Sequence, residues 1–133
     1  MRRFGLALLL IVAVLPSAGC RRIVPDQPAA AVAPPASAYE LELGKGIYLA
    51  YCATCHGEAG AGDGFNAFNL DPRPRDLGDP ALQKSKSDED LEDVVRRGGS
   101  GVGLSSLMPP WGHTLNERQI EEVVLYLRSL ERD

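Results

Sequence analysis

The chain has 133 residues, room for one small domain and a tail, and a formal charge of −4. A core this thin usually leans on a disulfide, a metal or a cofactor for part of its stability. The acidic balance argues against nucleic-acid binding, which needs a basic face, and is compatible with a basic protein partner. Three cysteines are an odd number, so in an exported chain one of them needs its own explanation.

Residues 1–19 read as an export signal. Arg2 and Arg3 are positive, Phe4 to Leu15 form an apolar run, and Ser17, Ala18 and Gly19 are the small residues that precede a cleavage site. At about 1.5 Å per residue that run is too short to span a bilayer as a helix, so cleavage is expected. The stretch LPSAGC resembles a bacterial lipoprotein box in which Cys20 would take a diacylglyceryl group, although Ser17 stands where the pattern has leucine. A lipidated Cys20 accounts for the odd cysteine and would anchor the mature chain at the periplasmic face of a bacterial membrane, inner or outer being left open. The alternative is an ordinary signal peptide with an unused cysteine. From Arg21 to Ala38 alanine, proline and valine dominate, a composition that buries no core and favours extended chain. The expected organisation is a leader at 1–19, a tether at 20–38 reaching at most ~60 Å, and a folded domain at 39–133.

The folded part opens with a helical pattern: Leu43, Ile47, Tyr48 and Tyr51 recur at helical spacing and lead into Cys52. Gly44 and Gly46 each weaken that helix by about 1 kcal/mol relative to alanine, so both are expected to serve packing. A second helix is predicted after Ser87, a cap whose box Asp90 completes. Leu91, Val94 and Val95 form its apolar face, and Gly98 ends it in a left-handed conformation. Its pairs Glu92 with Arg96 and Asp93 with Arg97 read as a solvated face. The last helix has Asn116 as cap, Gln119 at the box position, and a stripe of Ile120, Val123, Val124, Leu127 and Leu130. No alternating strand pattern appears, and the fold class is all-α. The glycine- and proline-rich loops between these helices are long for a small domain. They make sense if they wrap something large and apolar.

Cys52, Cys55 and His56 supply that something. C-x-x-C-H is the attachment sequence of c-type haem: two thiols one helical turn apart add to the haem vinyl groups, and the next histidine lies under the iron. A zinc site would need a fourth ligand, for which only His113 remains. A redox dithiol would need a βαβ context. A structural disulfide would leave His56 unexplained. For the second axial position the candidates are Met108, the one methionine that outlasts the leader, and His113. Met108 precedes two prolines that stiffen its backbone, and glycines between Gly98 and Gly103 would let the loop approach the macrocycle.

At these residues the chain resembles the small class I c-type cytochromes, over nearly all of residues 39–133. The resemblance implies a helix ending in the haem motif, a loop-rich middle, a distal methionine, here Met108, and a terminal helix that crosses the first. Gly44 matches the small residue of that crossing, Tyr48 its aromatic, and Tyr126 would pack over Gly44. It also implies a proline carbonyl, from Pro74 or Pro72, accepting a hydrogen bond from His56, with Trp111 and His113 at the pocket rim. Arg75 is either a propionate partner or a solvated arginine.

Filled axial positions leave one-electron exchange as the expected function, by a non-enzymatic carrier with one covalent haem c that docks on redox partner proteins in a respiratory or other periplasmic chain. Two alternatives stand beside it: a haem subunit of a larger oxidase or reductase, and a haem enzyme or gas sensor with an open sixth position, for which His113 is the one acid-base group available.

Overall fold

In the computed structural model, which describes residues 37–133, the chain enters its first helix at a reciprocal cap. Ser37 Oγ accepts from the Glu40 amide at 3.2 Å, and the Glu40 carboxylate accepts from the Ser37 amide at 2.9 Å. The box satisfies two amides that a helix start otherwise leaves without partners. The leader, Cys20 and most of the predicted tether lie outside the described residues; Ser37 and Ala38, read with the tether, belong to the helix.

That helix, α1 (Ala38–Tyr51), ends on Cys52, and one short turn, α2 (Ala53–His56), follows directly. A 3-10 turn spans Ala67–Asn69. Helix α3 (Pro80–Ser85) is capped by Asp79, whose carboxylate accepts from the Ala81 amide at 2.9 Å, and opens on Pro80, where no amide is needed. Helix α4 (Asp88–Gly101) carries the Ser87 and Asp90 box, and α5 (Glu117–Ser129) the Asn116 and Gln119 box, both as expected. Among the described residues there is no strand, and no helix is long and apolar enough to cross a membrane.

Helix α1 packs chiefly on α5. Gly44 is buried at the crossing, and a Cβ there would stand 1.9 Å from the Glu122 carbonyl oxygen and 3.2 Å from Tyr126 Cβ. Only a missing side chain lets the backbones meet so closely. Gly46 departs from expectation: it is exposed, and a Cβ at this position would meet nothing within 4 Å, so it has no packing role. On α5, Ile120, Val123, Val124 and Leu127 are buried as the stripe predicts, while Leu130 packs half-buried on the core edge. Glu122 is buried as well, and Arg118 donates to its carboxylate at 3.0 Å.

The loop-rich middle is held by polar ties that the periodicity did not reveal. Gln83 is buried, and its amide donates to the carbonyls of Leu77 at 2.6 Å and Leu127 at 3.0 Å. Arg128 donates back to the Gln83 carbonyl and side chain, to Lys86 and to Asp88, each at 2.7 Å. Arg96 keeps its expected pair with Glu92, at 3.8 Å, and does more: it grips Glu117 at the start of α5 through two bonds of 2.5 and 3.2 Å. This pair holds the Glu117 carboxyl below the usual carboxylate range.

The two glycines of α1 give opposite expectations. Gly44→Ala forces α1 and α5 apart and should destabilise the holo-protein by about 3 kcal/mol or more. Gly46→Ala should stabilise it by about 0.5–1 kcal/mol through helix propensity alone. Denaturant unfolding of the two variants decides, and equal shifts would refute the close-crossing account.

Candidate functional site

The C-terminal end of α1 delivers the chemistry. Its last turn continues past a bend at Cys52 into α2, where the amides of Cys55 and His56 donate to the Cys52 carbonyl at 3.1 and 2.9 Å. This turn brings Cys52, Cys55 and His56 to one cavity of about 450 Å³. Gly57 then stops the helix with a φ of 81°, a value that disfavours any residue with a Cβ. The Tyr48 hydroxyl donates to the Gly57 carbonyl at 2.6 Å, and its ring lies 5.1 Å from that of Tyr126. One fully buried tyrosine therefore joins the helix crossing to the backbone just after His56. Burial raises its hydroxyl pKa well above the ordinary value, so it remains a donor.

The cavity walls are mostly apolar. Val95 of α4 and Val123 and Leu127 of α5 belong both to the core and to the cavity lining. Leu91 and Val94, on the predicted apolar face of α4, line it too. The segment after α4 brings Leu104, Leu107, Met108 and Trp111 to the same space. That segment is clamped by backbone: the Gly99 amide donates to the Met108 carbonyl at 3.0 Å, and the Trp111 amide to the Val95 carbonyl at 3.0 Å. Gly98 breaks α4 with φ 67° and ψ 176°, a positive φ as expected but with extended ψ, and one further helical turn follows it. The Trp111 ring lies 5.2 Å from that of Tyr51.

Neither Cys52 nor Cys55 is in a disulfide. Burial, aided by neighbouring Cys55, pushes the Cys52 thiol up to about 11, so Cys52 is held as a thiol. Burial lowers the His56 pKa and keeps the imidazole neutral, the form that binds a metal, against an opposing pull from the Arg75 backbone. Nδ1 of His56 is the one buried side-chain nitrogen or oxygen among the described residues without a hydrogen-bond partner. The Arg75 backbone thus acts on the ring from outside full hydrogen-bond geometry. Two half-buried thiols, a neutral imidazole and a thioether on the walls of one apolar cavity are the donor set a covalent porphyrin needs, and the residues fit haem c. No group of three or more His, Cys, Asp or Glu side chains is gathered among the described residues to hold a bare ion.

The family model described as cytochrome c oxidase, cbb3-type, subunit III matches residues 40–127. The chain belongs to this family. Among solved structures it is similar to the c-type cytochrome KustC0563, at 24% identity and a TM-score of 0.56 over 67% of this chain and 98% of that one, a likeness of fold. It is also similar to a chain of the Kuenenia stuttgartiensis reducing HAO-like protein complex Kustc0457/Kustc0458, at 35% identity and a TM-score of 0.57 over 68% of this chain. The match spans 42% of that longer chain. No curated protein matches. The protein is an all-α cytochrome c domain that carries covalently bound haem c and serves electron transfer.

In this cytochrome c domain the cavity gathers most of the residues singled out from sequence: Cys52, Cys55, His56, Met108 and Trp111, with Pro72, Pro74 and Arg75 on the side of the middle loop. Two expectations change. His113 is exposed and outside the cavity lining, so it is not a rim residue. Neither the Pro74 nor the Pro72 carbonyl bonds His56, whose Nδ1 is unpartnered; the Pro74 carbonyl faces Gly62, where a Cβ would come within 2.4 Å of it. Sequence reading missed the Tyr48 hydroxyl, whose acceptor lies nine residues away in a loop, and Lys86, which lines the cavity from just before α4.

Tyr48→Phe keeps the ring and removes the donor, leaving the Gly57 carbonyl with the 3.2 Å bond from the Gly60 amide alone. It should cost about 0.5–1.5 kcal/mol, against about 3–5 kcal/mol for Tyr48→Ala, which also empties the crossing. Unfolding curves of the two holo-variants measure both, and a Phe variant as stable as wild type would remove the hydrogen bond from the account.

Proposed function

We propose that the protein is a single-electron carrier in which Cys52 and Cys55 hold the haem through thioethers and His56 and Met108 are its axial ligands. The observation that carries this reading is the convergence of α2 and the clamped Met108 segment on one apolar cavity. When bound, the haem supplies a one-electron iron couple, and a soft thioether opposite imidazole favours the ferrous state. The chain's own residues do the rest. Cys52 and Cys55 prevent loss of the group, and the apolar walls exclude water. His56 is oriented by a helical turn whose next carbonyl is tied to Tyr48. His113, which an enzyme or sensor reading would use for proton transfer, is exposed outside the lining, and this supports the carrier reading.

The lipoprotein box at Cys20 supports a lipid-anchored carrier at the periplasmic face of a bacterial membrane, confined near its redox partners. A second reading, a haem subunit of a larger oxidoreductase, draws support from two findings. The matched family is named for an oxidase subunit, and one similar chain belongs to a protein complex and is longer than this one.

Ferric and ferrous absorption spectra of the mature protein should be low-spin, with the weak near-red sulphur-to-iron band and no carbon monoxide binding. Met108→Ala should abolish that band, open the iron to carbon monoxide and lower the midpoint potential. An unchanged spectrum in this variant would assign the sixth position elsewhere. Mass spectrometry of the mature N-terminus should show a diacylglyceryl group on Cys20, and an unmodified Cys20 or a later start would remove the anchor.

A further inference from the structure

The outer side of α2 carries a second concavity, and its chemistry differs from that of the haem cavity. Thr54, inside the C-x-x-C-H motif, lines both, so a single helical turn separates them. Leu49 and Phe65 give the outer concavity its apolar surface, with Phe65 86% and Leu49 43% exposed. Phe65 is the most exposed large apolar side chain among the described residues, yet its backbone is pinned. The Gly64 amide donates to the Cys55 carbonyl at 3.2 Å and the Asn66 amide to the Thr54 carbonyl at 2.9 Å. A Cβ at Gly64 would fall 2.5 Å from the Thr54 oxygen, so the loop lies flat on the motif. The fold therefore displays this ring to solvent on a fixed base, at a cost that core packing does not explain.

The charged groups are sorted between the two cavities. Arg73, Arg75 and Lys86 line the haem cavity, whereas Glu58 and Asp63 are the ionisable residues of the outer concavity. Both carboxylates are exposed, and neither joins an ion pair among the described residues.

We propose that the face formed by Leu49, Phe65, Glu58 and Asp63 is the docking surface for a redox partner protein whose contact patch is apolar with a rim of lysine or arginine. The inference rests on the carrier reading. Phe65 and Leu49 supply the dry centre of a transient interface, and Glu58 and Asp63 steer and orient a cationic rim. Docking here puts the partner against the turn that bears both attachment cysteines. One electron crosses that turn from the ferrous carrier to an oxidised one-electron centre of the partner; the carrier becomes ferric, and no bond or proton moves.

Stopped-flow oxidation of the reduced holo-protein tests this with three acceptors: a basic, lysine-rich c-type cytochrome, cationic hexaammineruthenium(III) and anionic ferricyanide. With the basic cytochrome the wild-type rate should fall steeply as salt rises past the point where the Debye length drops below about 10 Å. Glu58→Lys with Asp63→Lys should slow that reaction roughly tenfold at low salt and flatten its salt dependence. The same variant should slow the ruthenium complex and speed ferricyanide. Phe65→Ser should slow only the protein acceptor. Glu58→Lys alone, confined to the exposed rim, should give the same pattern more weakly and covers the case in which Asp63 is needed for folding. Unaltered rates in variants with wild-type spectra and midpoint potential would overturn the surface. So would salt-sensitive self-association that the variants abolish without a change in rate, since the occupant would then be a second copy of the chain. A wild-type protein that exchanges electrons with none of the three acceptors would overturn the carrier reading itself.

Discussion

The contact between Gly44 and the Glu122 carbonyl is the constraint on which the rest depends. It sets how closely α1 and α5 approach, and both helices then commit residues to the haem cavity: Tyr48, Tyr51 and Cys52 from one, Val123 and Leu127 from the other. Spread the crossing and every one of these positions moves. Because Val95, Val123 and Leu127 face core and cavity alike, whatever binds in the cavity packs directly on the core. Cofactor attachment and folding are therefore linked, as expected where a thin core needs a bound group to complete it.

Away from the crossing the architecture changes character. Between α2 and α4 few large apolar residues are available, and the chain is tied by polar groups instead. Gln83 bonds α5 and the loop before α3, Arg128 answers from α5 to four acceptors, and Arg96 joins α4 to the start of α5 through Glu117. Each such hydrogen bond contributes only about 1 kcal/mol net. The Gln83 to Leu127 bond is the buried one of this set, where losing one partner strands the other without water; the rest fix direction at part-buried or exposed positions. The long loops are thus an ordered wall of the cavity.

The sequence made local physics legible and long-range partners illegible. The boxes at Ser87 with Asp90 and Asn116 with Gln119, the stripe on α5 and the C-x-x-C-H motif all act within a few residues, and the structure contains each. Gly44 was legible because its resemblance to a helix crossing supplied the partner that periodicity alone lacks. Gly46, two residues on, carries the same local signal with no partner, so no inspection of α1 alone could separate them. The Ser37 and Glu40 box was hidden in an alanine- and proline-rich stretch that reads as tether. Arg96 makes the pair with Glu92 that its own helix offers and adds a carboxylate 21 residues away, which local spacing does not show. For His56 the family's proline rule pointed at Pro74 or Pro72, but neither carbonyl bonds the ring and that of Pro74 faces Gly62, a loop placement with no signature in composition or spacing.

Gly98 and Gly99 show how rigidity, not looseness, follows from a glycine-rich segment. Both are buried, and a side chain at either would strike backbone: Met108 and Pro110 at 2.7 and 2.6 Å from Gly98, and the Ser105 oxygen at 1.8 Å from Gly99. The glycines bring the Met108 segment against α4 and fix it there through the Gly99 amide, instead of leaving it free to follow the macrocycle. On the other side His56 sits in a helical turn whose carbonyl accepts from the Gly62 amide at 2.8 Å. Both walls that face the cofactor are therefore set by main-chain contacts before any electron arrives. A site that changes only its charge, and must do so in both directions, gains speed from walls that need not rearrange, because the cost of reorganising them would fall on every transfer. The crossing at Gly44 and the clamp at Gly99 solve the same problem from the two ends of the cavity, each by removing a side chain so that backbone can hold backbone.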